Sequence, residues 1–206
     1  MLFNTLVLIS FFICIMPLKR FVGIFPSLMA CIVRWKESVN LDASVKLCRD
    51  RDIMAIAMVM PFCLTADRFA LYSPSWIGQL GADARLGTTI GVILAYILLR
   101  KGLEHIMRPK KMNQKTYKTA CKSSHTFFII LTLALILCGG VMSFLKTDLS
   151  TIRDAMLWVS ACIYALFLLR KTQIFISGCS IFTAFLYLCA LEIFPTGVLV
   201  ASALIF

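Results

Sequence analysis

Between Thr172 and Phe206 the chain carries one charged side chain, Glu192, three residues before Pro195. A carboxylate in so apolar a stretch has three uses open to it. It can lock a helix break by accepting hydrogen bonds from another segment, carry protons or cations, or sit solvated at a membrane boundary. Ionisable groups within membrane segments are costly and mark functional sites by default. Pro195 has no N–H for the carbonyl of Leu191, which favours a kink at this point. Glu192 shares a helix face with Phe185, Leu188 and Cys189, and Arg68 is the candidate charge partner. A structural lock is the leading reading.

Other chemistry is sparse. The chain has no GxSxG, HExxH, P-loop or GxGxxG motif. No nucleophile–base pair and no metal set is visible, so no catalytic residue, metal or cofactor is assigned. Glu104 and His105 are adjacent, and on a helix their side chains diverge. His125, at the mouth of an apolar run, reads as a boundary residue, with proton or ligand chemistry as the alternative. Of nine cysteines, all but Cys48 and Cys121 lie inside apolar runs. Without CxxC spacing they read as small packing residues.

The surrounding elements must therefore be membrane segments. Sixty per cent of the 206 residues are apolar, more than one soluble core can hide behind a polar surface. The formal charge of +11 arises from 21 Lys and Arg against 10 Asp and Glu. Those basic residues fall between apolar runs, as in cytoplasmic loops. Nucleic-acid binding is excluded on the same ground.

The expected fold is an all-α polytopic bundle, a single integral-membrane domain over 1–206 with six or seven segments. These are placed at about 2–17, 21–35, 53–72, 84–99, 126–145, 155–169 and 172–192, with an apolar tail at 196–206. Residues 1–35 could instead form a re-entrant pair. Asp42 is a plausible N-cap for a short amphipathic helix over 38–52. Tyr72 and Trp76 suit the membrane–water boundary. Gly87, Gly91 and Ala95, and again Gly139 with Ser143, form small-residue faces that would let a neighbouring helix approach closely.

The basic loop 100–125 is expected on the cytoplasmic side, where Arg108, Lys110, Lys111, Lys115 and Lys118 would contact anionic lipid headgroups. Arg170 and Lys171 mark the next inner boundary. Working backwards puts the N-terminus on the cytoplasmic side, although Lys19 and Arg20 then fall on the opposite side. If a helix starts directly after Lys171, Glu192 lies ~30 Å along it, at the far interface of a hydrocarbon core about 30 Å thick.

The segment LYLCALEIFP, 186–195, resembles the C-terminal signature of domain of unknown function 4271, an integral-membrane family associated with Bacteroidetes. Tyr187, Leu188, Cys189, Leu191, Glu192, Ile193 and Pro195 carry the match. AYILLRKGLEHIM (95–107) and LLRKTQIF (168–175) are also similar, so the resemblance covers residues from about 86 onward. It implies a multi-pass inner-membrane protein and joins Tyr187, Cys189, Glu192 and Pro195 into one unit. The leading functional expectation is a non-catalytic scaffold or accessory subunit, partnered by another protein or a second copy. A small transporter or channel using Glu192 is the alternative, and it predicts a polar cavity lined by Ser180 and Thr183.

Overall fold

The computed structural model describes residues 2–15, 17–72, 74, 81–107 and 114–205. Among them the chain is helical throughout, without a strand, in agreement with the all-α expectation. The helices are α1 (Leu2–Ile15), α2 (Leu18–Val33), α3 (Trp35–Ala43), α4 (Val45–Ala57), α5 (Val59–Arg68), α6 (Ala82–Ile106), α7 (Gln114–Phe144), α8 (Leu149–Ile176), α9 (Ile181–Leu188) and α10 (Phe194–Ile205). A π-helical turn, Cys189–Ile193, joins α9 to α10.

Four stretches are long and apolar enough to cross a membrane: Asp83–Ile106, Thr116–Phe144, Leu149–Ile176 and Ile181–Ala203. A fifth arises if Thr5–Ile15 and Leu18–Val33, bent by 71° from each other, count as one broken span or a re-entrant loop. The expected six or seven are therefore not reached among the described residues. The segment expected at 53–72 is divided between α4 and α5, each too short to cross alone. The two nevertheless follow α7 end to end. Asp52 meets Lys122 and His125, Phe62 packs edge-on against Phe128, and Phe69 sits beneath Gly139. Residues 122 to 139 span ~26 Å of helix.

The basic end of the bundle carries the connection from α6 to α7 and the turn from α8 to α9. Both ends of α2 lie there. Arg20, at its start, is 3.7 Å from Asp50, and Arg170 donates to the carbonyls of Ile32 and Val33 at its finish. Those carbonyls belong to the last turn of α2, which has no intrahelical partner for them. Helix α2 thus lies across this end, burying Ile24, Leu28 and Cys31 at helical spacing against Leu41, Met54 and Ile129. The expected amphipathic helix over 38–52 is two helices broken at Ser44, whose hydroxyl accepts from Leu47 N at 3.5 Å. Ser44, not Asp42, is the cap.

The small-residue faces divide. A Cβ added at Gly139 would stand 2.8 Å from the ring of Phe69, so this glycine admits the aromatic side chain that follows α5. Ser143 is exposed and takes no part. Gly87, Gly91 and Ala95 face outward, and no neighbouring helix approaches either glycine.

Candidate functional site

Helix α8 does not stop at Arg170–Lys171. It continues for another turn and more to Ile176, and Ser177–Gly178 provide the punctuation instead. Ser180 then caps α9, accepting from Thr183 N. Because this last span begins at Ile181, Glu192 lies eleven residues in, ~16 Å from its start and near the middle of the span rather than at its far end. The apolar tail is no separate re-entrant segment, since α10 completes the same span.

At Pro195 the missing N–H and the bulk of the ring would disturb an ordinary helix. The π turn absorbs that disturbance, with Phe194 N reaching back to the carbonyl of Cys189. Turns of this kind are rare and frequently occur at functional sites. Here the wide turn aims Glu192 inward, where its side chain is 1% exposed.

Glu192 Oε1 receives Arg100 Nη2 from α6 at 2.5 Å and Lys171 Nζ from α8. Lys171 is wholly buried, with Nζ 5.5 and 5.7 Å from the ring centroids of Phe167 and Phe175. The Arg100 guanidinium lies 5.7 Å from the Phe167 centroid. These faces complement the cations electrostatically as well as sterically. Glu104 approaches Arg100 at 3.7 Å and Lys101 at 3.5 Å. The cluster thus joins three helical spans, and Glu192 Oε2 and Arg100 Nε are left buried without a hydrogen-bond partner.

Polar contacts continue along α10. Tyr164 donates to the carbonyl of Glu192, Tyr96 pairs with Thr196 at 3.2 Å, and Tyr72 pairs with Ser202 at 3.1 Å. Tyr187 stacks on Phe175, Cys189 opens the π turn, and Pro195 is buried. The four residues Tyr187, Cys189, Glu192 and Pro195 therefore occupy one neighbourhood.

Arg68 does not join them. It is exposed at the other end of the bundle, next to Asp67, which pairs with Arg85 at 2.9 Å. Arg85 precedes Arg100 by ~22 Å of helix. The partners missed in the sequence, Arg100 and Lys171, looked like boundary charges because both flank apolar runs. The apolar residues Ile174, Phe175 and Ile176 beyond Lys171 were the available signal. Ser180 and Thr183 serve the α9 cap, bonded to each other at 2.8 Å, rather than lining a cavity. Arg108, Lys110 and Lys111, the side chain of Lys115, and Trp76 lie outside the described residues; Lys118 is exposed.

A second cluster was not anticipated. Buried Arg51 donates to Asp42 at 2.7 Å and to Asp52 at 3.1 Å. Asp52 also meets Lys122 Nζ at 3.2 Å and His125 Nδ1 at 3.0 Å, and Lys122 reaches Cys48 Sγ at 2.9 Å. His125 is therefore more than a boundary residue. Its partners come from α4, 73 positions away, and no spacing rule links them. Among the described residues, no group of three or more metal-ligating side chains is suitably placed for an ion.

Burial opposes ionisation of Asp52, but the His125 bond, the Arg51 charge and Lys122 outweigh it and hold its carboxyl below the ordinary value. A lowered carboxyl stabilises the fold above the ordinary carboxylate range and loses that contribution as pH falls through the folded value. Thermal denaturation across pH should therefore show Asp52→Asn less stable than wild type above about pH 5. The gap should close below about pH 4. A gap independent of pH would mean that the charge is not what matters.

Membrane-length helices, a π turn and a buried ion cluster define the chain as an all-α polytopic membrane protein. It belongs to the family of domain of unknown function DUF4271, whose model matches residues 3–202. The match extends the resemblance from the region beyond about 86 to the N-terminal third as well. No curated protein and no solved structure matches the chain.

Proposed function

We propose that this is a non-catalytic scaffold or accessory subunit of the bacterial cytoplasmic membrane, held in shape by a charge clamp at Glu192. The observation that carries this reading is one carboxylate oxygen capped by cations from two separate spans, α6 and α8. Breaking such a buried set by removing one member is costly, whereas replacing the whole set with apolar residues is tolerated. The clefts formed by Asp42 with Lys122 and by Asp154 with Trp158 do not open onto Glu192.

Proton or cation handling is the second reading. It is favoured by the partnerless Glu192 Oε2 and by the tyrosine–hydroxyl pairs that lead from it along α10. Ion flux in proteoliposomes separates the two. The clamp reading expects no Glu192-dependent flux of protons or monovalent cations. Flux abolished by Glu192→Gln in a folded protein would replace the scaffold with a transporter.

A further inference from the structure

We infer that the cleft between α4 and α7 binds the headgroup of an anionic phospholipid, with an acyl chain laid against Ile53 and Ile56. The inference rests on the membrane assignment and is independent of the clamp at Glu192. The cleft is about 380 Å³, its polar floor formed by Asp42, Cys48, Asp52 and Lys122 and its rim by Arg49. Its wall is apolar and open, with Val45 84% and Ile56 75% exposed. A wholly polar ligand would leave that wall in water, and a wholly apolar one would strand the floor. An amphiphile satisfies both.

Charge decides the sign of the headgroup. Arg49 and Lys122 line the cleft beside Asp42 and Asp52, and Arg51, buried behind that lining, pairs with both acids, so three cations stand against two acids. Arg51 is buried and already engages both acids, so neither acid is left to repel an anion at full strength. The uncompensated charge is at Arg49, which is exposed and forms no ion pair among the described residues.

Depth agrees with this assignment. Lys122 and His125 stand where α7 changes from the polar run QKTYKTACKSSH to the apolar run TFFIILTLALIL. That is the level at which a phosphate sits and an acyl chain begins. The headgroups expected along the 100–125 loop thus gain a built site on α4, which composition alone did not indicate.

The experiment uses the full chain, purified in neutral detergent, with thermal unfolding followed in mixed micelles of phosphatidylglycerol or phosphatidylcholine. Phosphatidylglycerol should raise the unfolding temperature more than phosphatidylcholine, with an advantage that shrinks in high salt. Arg49→Gln touches none of the internal ion pairs, so it should fold normally. It should weaken the phosphatidylglycerol response about fivefold, as expected for one basic residue near a membrane surface. Ile56→Ser should weaken the same response while leaving any effect of inorganic phosphate unchanged. Equal stabilisation by both lipids would overturn the proposal. So would inorganic phosphate protecting as well as phosphatidylglycerol, or both variants responding like wild type.

Discussion

Glu192→Leu is expected to destabilise the bundle by about 3–5 kcal/mol, because it leaves Arg100 and Lys171 buried together without their shared anion. Lys171 has no exposed surface and no other acid partner among the described residues, so it cannot turn to water without unpacking Phe167 and Phe175. Glu192→Gln should be milder, since an amide oxygen can still accept one bond while the charge is lost. The informative comparison is the triple change Arg100→Met, Lys171→Met and Glu192→Leu. It removes all three charges together, and its stability should recover to within about 1–2 kcal/mol of wild type. Thermal unfolding monitored with a thiol-reactive fluorophore would report the series. A triple variant no more stable than Glu192→Leu would show that the set does more than clamp.

Arg51→Met should cost a comparable amount, about 3–5 kcal/mol. Arg51 is 1% exposed and, among the described residues, is the one cation that touches both Asp42 and Asp52, so it fastens α3 to α4. Its removal leaves Asp42 without an ion-pair partner among the described residues, while Asp52 retains Lys122 and His125. Arg51→Lys preserves the charge but loses the fork that serves two carboxylates at once, and should fall between. Asp42→Asn added to Arg51→Met should restore part of the loss, because the two changes act on one pair. Full additivity would mean that the pair does not interact energetically.

The class of protein was plain before any coordinates. An apolar fraction this high commits the backbone to satisfying itself, and in lipid that means helices or a closed barrel. The spans near 84–99, 126–145 and 155–169 were visible because each is a long apolar run. Boundaries were less visible. Arg170 and Lys171 looked like the end of a span, yet side-chain charge does not stop a helix when protein partners receive it. Displacing that boundary moved Glu192 from the interface to the bundle interior. The last residues of α4 were joined to α5 in one segment because both are apolar; Pro61, in the first turn of α5, has no N–H for the carbonyl of Ala57 and was the available signal for the break at Met58.

Residue types and local spacing determined that this chain is an all-α membrane protein and that Pro195 disturbs the helix next to Glu192. Those properties follow from composition and from neighbours along the chain. The partners of Glu192, the role of His125 and the outward face of Gly87 and Gly91 were decided by tertiary structure alone. Each depends on which helices lie side by side. Arg100 stands 92 positions from Glu192, and Asp52 stands 73 from His125. No local periodicity reports a contact at that separation. It is set by how the spans pack, and by a π turn that rotates Glu192 toward buried Lys171 and part-buried Arg100.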